Sequence, residues 1–464
     1  MSDVTGQTVH PPDGGWGWFV VIAMFISCFL CSGSYYAFSI LYVAFLEKYQ
    51  ESKAATAFVG AMSGLGFVLM TSYGLALARK IGHRRTVMLG GVISFIGVAA
   101  TAFATQLWQT YITFGLFVGT GLGFTFVVCI EMVGKYFKRK FSIAMGIAFA
   151  GTGVGQFALA IISQFLLEKY GLWGTLLISA AIFSNLCVAG ALLKPLEVRK
   201  TSRRLENTAR EQTEKQNTEF LEDNIIENGS NGLDNNDQVS AETDKKKTRS
   251  FLMILLTALY DFSLCKEPIY LVILVIAACQ MCGQASVGIH LVRRTRDLGI
   301  GPSQSAYLTA IMGLAQMIGR PAFGAIGNIH RLNPCIPFGI SLIACGVSLS
   351  ISSYSASFTA QLVFVIVFGI CLGGYTVLNN VIVAYFMGKE RLGYGVSFLL
   401  HVHGFVGLLV GPLIGWMRDS TDSYQGAFWL AGSAMALGGF LAFLLPMIDR
   451  LVKRNRGKRE DNKC

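Results

Sequence analysis

Twelve long apolar runs constrain the fold of this sequence more than any other feature. They lie near residues 16–42, 54–78, 86–104, 107–133, 141–167, 172–193, 268–292, 303–327, 335–353, 357–383, 392–417 and 424–447. Most of these runs exceed the roughly 20 residues that an α-helix needs to cross the hydrocarbon of a bilayer. The pattern therefore predicts an all-α membrane protein with twelve transmembrane helices.

Composition and charge placement indicate which partners to expect. Hydrophobic residues fill 53% of the 464 positions and charged residues only 14%, which is too few to cover the surface of a soluble globule. The net charge of +11 would suit a nucleic-acid partner, but the lysines and arginines cluster in loops and tails between the apolar runs. Such clusters orient a membrane protein, so the expected partner is the lipid bilayer and not nucleic acid.

The sequence carries no pattern typical of a metal site, a cofactor site or an enzyme. Its eleven cysteines lack paired-ligand spacing, and those inside apolar runs are interpreted as small apolar residues of the spans. A nucleophile elbow and a phosphate-binding loop are also absent. We therefore expect no metal, no cofactor and no catalytic residues.

Polar segments divide the chain into five parts. These are an N-terminus over 1–15, a first six-helix bundle over 16–193, a linker over 194–267, a second six-helix bundle over 268–447 and a basic tail over 448–464. The linker is rich in Lys, Arg, Glu, Asp and Asn, and this composition predicts partial disorder.

Basic residues predict the orientation of the helices. In the first bundle, the loops after spans two and four carry Arg79, Lys80, Arg84, Arg85, Lys135, Lys138, Arg139 and Lys140. The opposite side carries only Lys48, Lys53 and Lys169. Basic loops face the cytosol, so both termini and the linker are expected there. The exceptions are Arg293, Arg294 and Arg296 after span seven, interpreted either as a solvated helix extension or as an electropositive vestibule that attracts anions.

Two motifs and the six-plus-six arrangement resemble a known family of transporters. The first motif is Asp13, Gly14, Gly15, Trp16, Gly17 and Trp18; the second is Lys135, Tyr136, Phe137, Lys138, Arg139 and Lys140, continuing through Gly146 and Gly151. They are similar to the two signatures of the monocarboxylate transporter family. The arrangement of spans resembles the major facilitator fold, two six-helix bundles around a central site. Stretches 29–34, 40–42 and 170–172 look most like the monocarboxylate transporter nine branch.

The positions of the tryptophans and glycines in these motifs also have physical explanations. The indoles of Trp16 and Trp18 suit the boundary of the hydrocarbon, because each ring is apolar while its N–H group needs a polar partner. Four glycines are expected to keep one face of span five flat, for sliding or for static packing: Gly146, Gly151, Gly153 and Gly155. A weaker facilitator signature follows span two, where Arg79 occupies the usual acidic position. The usual charge contact between helices is therefore in doubt there.

Arg320 in span eight is the main candidate for substrate binding. A charge inside a span costs about 2.5–3.5 kcal/mol on insertion scales, so it needs a reason. A guanidinium matches a carboxylate bidentately, and the family resemblance assigns this arginine the role of carboxylate clamp. The alternative is that Arg320, in the cytosolic half of its span, extends toward the interface.

The sequence departs from the family pattern at two positions. Members that couple protons to lactate or pyruvate carry a lysine in span one and an aspartate one turn before this arginine. Tyr36 and Gln316 occupy those positions here, and neither titrates near neutral pH. Proton coupling by the usual route is therefore not expected. Tyr36, with Tyr35 beside it, could face a cationic substrate group or pack between helices.

Other polar residues of the spans have two interpretations each. Glu131 is expected to form a boundary salt bridge with Lys135, with a gating role as the alternative. The amides Asn379, Asn380, Gln156, Gln280 and Gln284 could line the cavity or join helices by hydrogen bonds. The histidines that could replace the missing proton site are His290, His401 and His403.

These observations predict a multi-pass plasma-membrane transporter of small monocarboxylates or related carboxylate-bearing solutes, such as creatine or carnitine. It is expected to work by alternating access, to be facilitative and not proton-coupled, and not to be an enzyme. The alternatives are a proton-coupled lactate/pyruvate-type symporter and a non-transporting scaffold on a transporter fold. Some members of the family need a single-span immunoglobulin-like glycoprotein to reach the surface, so such a chaperone is a candidate partner.

Overall fold

This computed structural model describes residues 13–194, 264–329 and 332–461, and every regular element in these ranges is helical. The N-terminal half comprises α1 (Gly17–Tyr49), α2 (Lys53–Ile81), α3 (His83–Ala102), α4 (Leu107–Thr110), a π-helix (Tyr111–Val118), α5 (Gly119–Tyr136), α6 (Phe141–Phe183) and α7 (Asn185–Leu192). The C-terminal half comprises a 3₁₀ turn (Leu264–Lys266), α8 (Pro268–Asp297), α9 (Pro302–Ile326), α10 (Cys335–Ser352), α11 (Phe358–Met387), α12 (Leu392–Thr421) and α13 (Gln425–Asp461).

Ten helical segments in the described ranges are long and apolar enough to cross a membrane. One of them, Phe141–Leu192, has 52 residues and is interrupted at Gly171, where φ is +63° and ψ is −175°. Glycine adopts that conformation readily, whereas other residues do so with strain. Because the conformation is not helical, it divides the segment into two helices, each of which makes one crossing. α9 is not among the ten, because residues such as Gln316 and Arg320 lower its hydropathy, but its 25 residues are long enough for a further crossing. The predicted twelve-helix fold of two bundles is confirmed.

Several predictions concern residues outside the described ranges. Most of the expected linker, 195–263, lies outside them, as do residues 1–12 and 462–464. The side chain of Tyr36 is also outside, although its backbone belongs to α1. The domain boundaries given above therefore stay predictions.

Helix pairing places the contacts between the two halves. Within the halves, α1 packs along α6, α2 along α5, α9 along α11 and α10 along α13. Between the halves, α9 packs on α6, and α12 packs on α2 and α5. We call the end of the bundle where α2 meets α3 and α5 meets α6 the basic end. It carries Arg79, Lys80, Arg84, Arg85, Lys138, Arg139 and Lys140.

The glycines of α6 lie on two faces of the helix, which corrects the prediction of a single flat face. A Cβ on Gly146 would lie 2.8 Å from the backbone oxygen of Arg320, and one on Gly153 would lie 2.9 Å from Cβ of Met317, so this face contacts α9. A Cβ on Gly151 or Gly155 would instead overlap the backbone of α1 at Phe25 and Phe29 respectively. Small residues allow such close helix contacts in a membrane protein.

Arg294 differs from both interpretations given for the arginines after span seven. Its side chain is buried, with 2% of its surface exposed, so it is neither a solvated extension nor part of an open vestibule. Its Nη1 donates to Oγ of Ser352 at 3.1 Å, its Nη2 donates to the Ser352 carbonyl, and the guanidinium lies 4.5 Å from the ring centre of Phe428. Arg293 and Arg296 are exposed. Arg294 thus fixes the end of α10 to α8.

Candidate functional site

Arg320 lies inside the protein, in the part of α9 that faces the other half. Only 6% of its surface is exposed, and 4% of that of Gln316, one turn earlier in the same helix. Nη2 of Arg320 donates a hydrogen bond to Oε1 of Gln316 at 3.0 Å. Because α9 runs toward the basic end, this bond turns the guanidinium away from that end. The predicted alternative, an arginine extended toward the interface, does not match this direction.

Two glycines on neighbouring helices make the space for Arg320. A Cβ on Gly373 of α11 would lie 3.0 Å from the backbone nitrogen of Arg320 and 3.2 Å from its Cγ. Gly146 of α6 lies against the backbone of Arg320 and of Pro321. The arginine is therefore held between α6, which belongs to the N-terminal half, and α11, which belongs to its own half. A central transport site is expected at such a junction.

Amides of the other spans add polar groups, some of which bond to each other. Gln156 of α6 is buried and lies beside Gly313 of α9, whose added Cβ would be 3.4 Å from the Gln156 amide. Nδ2 of Asn379 donates to Oε1 of Gln280 at 3.3 Å, which joins α11 to α8. The Asn379 amide is therefore committed in part to a helix contact, one of the two roles predicted for it.

The remaining predicted residues lie in different surroundings. Tyr35 is 66% exposed, in contrast to the buried Arg320 and Gln316. The side chain of Tyr36 lies outside the described part of the chain. Among the histidines, Nδ1 of His401 is 2.6 Å from the Ser397 carbonyl, and Nδ1 of His290 is 3.5 Å from the hydroxyl of Tyr424. The structure thus brings Arg320 and Gln316 together, and places Gln156 against Gly313 of the same helix, across the junction.

The two sequence motifs meet at the basic end. Oδ1 of Asp13 accepts backbone N–H bonds from Lys138, Arg139 and Lys140 at 2.7, 2.8 and 3.2 Å. The backbone N–H of Asp13 donates to the Tyr136 carbonyl at 3.1 Å. Through these bonds, the start of α1 is attached to the connection between α5 and α6.

Both tryptophans of the first motif also contact protein. Nε1 of Trp16 donates to the carbonyl of Leu192 at 2.9 Å, which ties the start of α1 to the end of α7. The ring of Trp18 packs edge-on against Phe137, with centroids 5.2 Å apart. The predicted boundary role needs a polar partner for the indole N–H, and for Trp16 this partner is a helix-terminal carbonyl.

Lys389, which the sequence reasoning did not single out, joins the C-terminal half to this cluster. Nζ of Lys389 donates to the carbonyl of Phe137 and lies 4.7 Å from the ring centre of Phe141. Burial lowers the pKa of Lys389 to about 8; the Asp13 charge opposes this decrease and the Lys138 charge adds to it. Burial would raise the pKa of Asp13, but the three N–H bonds and the Lys389 charge outweigh it and hold that pKa below its usual value.

Glu131 and Arg79 form two further contacts at the basic end. Oε1 of Glu131 lies 2.8 Å from Nζ of Lys135, so the predicted boundary salt bridge is confirmed. Nε2 of His83, which was not predicted to take part, lies 3.6 Å from the same oxygen. Arg79 lies 4.0 Å above the ring of Tyr394 in α12, and its Nη1 donates to the hydroxyl at 2.7 Å. A contact between helices exists here after all, made by stacking and one hydrogen bond.

Within the described ranges, no group of three or more His, Cys, Asp or Glu side chains is placed to hold a metal ion.

The chain is similar in sequence to known membrane transporters. The family model described as Major Facilitator Superfamily matches residues 24–291 and 269–463. Monocarboxylate transporter 12 of Xenopus laevis is 28% identical over 448 residues, which cover 96% of this chain and 91% of that protein. Monocarboxylate transporter 2 of Meriones unguiculatus is 30% identical over 460 residues, which cover 97% of this chain and 88% of that protein. Monocarboxylate transporter 13 of Rattus norvegicus is 27% identical, with coverage of 97% and 94%. These relatives do not confirm the expected nine branch.

Solved structures share the fold. The proton:xylose symporter XylE, bound to 6-bromo-6-deoxy-D-glucose, superposes with a TM-score of 0.68 at 12% identity, covering 92% of this chain and 95% of that one. The E. coli fucose:proton symporter FucP superposes with a TM-score of 0.64 at 12% identity, covering 92% and 98%. At such identities the likeness concerns the arrangement of helices alone.

Proposed function

Since this chain belongs to the major facilitator superfamily and, within it, to the monocarboxylate transporter family, we propose that it moves small carboxylate-bearing solutes across the plasma membrane by facilitated diffusion. It is a multi-pass membrane transporter. Its site lies between the halves and opens alternately to each side. The termini and the basic end face the cytosol, as the positive-inside rule requires. The role is transport without covalent chemistry, and an immunoglobulin-like glycoprotein is its proposed partner for delivery to the surface.

One observation carries the proposal: Arg320 is buried between α6 and α11 and its guanidinium bonds to Gln316. A guanidinium has five N–H donors in a planar fork, and Gln316 accepts from one of its terminal nitrogens. A substrate carboxylate is the anion whose two oxygens match such a fork. Because Arg320 lies where α9 contacts α6 of the other half, a carboxylate bound to it would lie at the boundary that changes in alternating access.

The residue beside Arg320 supports transport that is not coupled to protons. An aspartate at position 316 would form a titratable ion pair with the arginine, and its protonation could be linked to substrate binding. Gln316 keeps the hydrogen bond but does not titrate. A solute that is taken up as its carboxylate anion can therefore bind without a proton. Creatine and carnitine, which pair a carboxylate with a cationic group, are the substrates we favour, with the ring of Tyr36 or Tyr35 as the partner of the cation.

Counterflow in reconstituted vesicles tests this function. Vesicles that contain the purified protein would be preloaded with an unlabelled solute. The same solute in labelled form would then be added outside, in turn lactate, pyruvate, creatine, carnitine or an aromatic amino acid, at two pH values. We expect saturable exchange of at least one carboxylate with little dependence on an imposed proton gradient. Uptake that requires the gradient and carries protons would instead identify a symporter. Exchange of none of these solutes would favour a scaffold on a transporter fold.

A further inference from the structure

The last helix, α13, is longer than one membrane crossing requires. Its 37 residues, Gln425–Asp461, extend about 55 Å at 1.5 Å per residue, whereas the hydrocarbon of a bilayer is about 30 Å thick. α13 runs toward the basic end, because its Gly439 packs near the start of α10, the helix that follows α9 at that end. A Cβ on Gly339 of α10 would lie 2.9 Å from the carbonyl oxygen of Gly439. The last turns of α13 therefore leave the hydrocarbon at the basic end.

One side of α13 is apolar and exposed up to the end of the crossing, and we call it the lipid face. Its side chains in this part of the helix are Phe440, Leu444, Met447 and Leu451, each 46–60% exposed. Residues three or four apart share one side of a helix. On the opposite side, Ala442 and Leu445 are fully buried against the rest of the protein. In a membrane protein, the lipid face is in contact with the acyl chains of the bilayer.

Two arginines continue the lipid face where the apolar run ends. Arg454 lies seven residues after Met447, and Arg450 lies seven residues after Phe443, which is also exposed. Seven residues make nearly two helical turns, so each arginine is on the side of the apolar residue that precedes it. Both arginine side chains are exposed, and neither forms an ion pair with a carboxylate in the ranges that the structure describes. Their charges are therefore available to a group in the adjoining lipid.

The spacing of these arginines suits a phosphate group. Arg450 and Arg454 are four residues apart, so they are neighbours on the helix surface, separated by about 6 Å along the axis. A guanidinium donates two parallel hydrogen bonds to a phosphate, which a lysine ammonium does not. Arginines near the end of a span keep their aliphatic part along the lipid chains and extend the charge to the headgroups. Both guanidinium groups can thus reach the phosphate of one lipid.

We propose that Arg450 and Arg454 bind the headgroup phosphate of an acidic phospholipid in the leaflet at the basic end. The acyl chains of this lipid lie along the lipid face of α13, and its phosphate lies at the depth of the two arginines. An amphipathic ligand contacts both parts, whereas a free anion contacts the arginines alone. Phosphatidylcholine also carries a phosphate, but its choline cation is repelled by the two guanidinium groups. The site therefore selects lipids with a net negative charge, whichever solute the protein transports.

A lipid titration tests this proposal. The full-length protein in micelles of a neutral detergent would be titrated with a fluorescent short-chain phosphatidylserine and, separately, with phosphatidylcholine of the same chain length. We expect saturable binding of phosphatidylserine and weaker binding of phosphatidylcholine. Arg450→Gln and Arg454→Gln should each weaken the binding of phosphatidylserine about fivefold, the effect of one cation near an anionic headgroup. The double variant should lose most of the preference for the acidic lipid.

The matched control is Lys453→Gln, which removes the same charge from the same turn of α13. Nζ of Lys453 lies 2.7 Å from Oδ2 of Asp449, so this cation already has an anionic partner. Its replacement should change the affinity for phosphatidylserine by less than about twofold.

Three results would overturn the proposal. They are equal affinity of the wild-type protein for the two lipids, an equal loss of affinity in Lys453→Gln and the double arginine variant, and unchanged affinity in the double variant. Inorganic phosphate, added as a competitor, should not displace the lipid; displacement at the same concentration as unlabelled phosphatidylserine would identify a site for free anions instead. Absence of solute exchange would overturn the transport function alone, since the titration contains no solute.

Discussion

Oδ1 of Asp13 lies 2.8 Å from the backbone nitrogen of Arg139, 126 residues further along the chain. The same oxygen accepts N–H bonds from Lys138 and Lys140. The two family signatures thus form one structural unit, in which an acidic side chain caps the turn that leads into α6. A charged acceptor that serves three donors at once explains why a short polar motif precedes the first span.

Removal of the Asp13 carboxylate should destabilise the protein. Asp13→Ala leaves three N–H groups without this acceptor, and we expect a loss of about 1–2 kcal/mol in the free energy of unfolding. Asp13→Asn keeps Oδ1 and should cost less. Thermal melting in detergent measures both, with the surface pair variant Asp449→Asn as control. Since the pKa of Asp13 is lowered on folding, its contribution is complete at neutral pH and is lost only in acid, as the pH falls through that lowered pKa. Equal melting of Asp13→Ala and wild type would contradict this role.

Alkaline pH should favour closure of the basic end through Lys389. Its pKa is about 8 where it contacts Phe137, against an ordinary value of 10.5 expected once opening exposes it to water. The open state then binds more protons, so raising the pH from 7 to 9 should favour the closed state by up to about tenfold. Distances between paramagnetic labels on the exposed positions Arg85 and Ile329, one in each half at the basic end, measure this as a function of pH. Lys389→Arg stays charged and should abolish the dependence, whereas Lys453→Arg, on the surface, should not. An opposite pH trend would refute the assignment.

Replacement of Arg320 should reduce transport more than it reduces folding. Arg320→Lys keeps the charge but loses the planar fork, and Arg320→Gln loses both; we expect uptake efficiency to fall at least about tenfold, or 1.4 kcal/mol, in each. Gln316→Asp should add a competing ion pair and make uptake depend on pH. Arg294→Lys is the matched control, because this second buried arginine bonds to Ser352 and should affect protein amount without affecting KM. Unchanged saturable uptake by Arg320→Gln would exclude a clamp.

A methyl group on Gly146 should hinder movement between the halves. Its Cβ would lie 2.8 Å from the Arg320 carbonyl oxygen, 3.0 Å from Cα of Gly324 and 3.2 Å from Cα of Pro321, all backbone atoms that cannot rotate away. Separation of α6 from α9 should lower the transport rate several-fold and reduce stability by about 1–3 kcal/mol. Gly64→Ala in α2 is the control, since nothing lies within 4 Å of the added Cβ. Equal transport by the two variants would show that the crossing tolerates a wider spacing.

The fold was predictable from sequence because the length of each apolar run is set by the thickness of the bilayer. Pairing of Glu131 with Lys135 was also predictable, since residues four apart share a helix face. Gly171 was only a weak sign that α6 is interrupted there, because many other glycines of the spans serve helix packing. The arrangement of Arg320 beside Gln316 was predicted as a spacing of one turn, but the direction of the side chain was not.

Contacts between the halves were not predictable from a single sequence. Arg79 and Tyr394 are separated by 315 positions, and nothing local to either residue indicates the other. For Lys389 a signal did exist: Tyr385 and Phe386 precede it after span ten at the same spacing as Tyr136 and Phe137 precede Lys140 after span four. Comparison of the two halves would have placed a lysine at equivalent positions of both bundles. It would not have shown that the second lysine reaches the carbonyl of Phe137.

The two glycine faces of α6 have a consequence for how this protein can diversify. Gly151 and Gly155 hold the helix to α1, while Gly146 and Gly153 meet α9 across the boundary between the halves. The side chains of α9 that we propose to bind solute are different from the backbone atoms that contact α6. In evolution or by design, the solute preference that we propose for position 316 can therefore change while the packing between α6 and α9 stays the same.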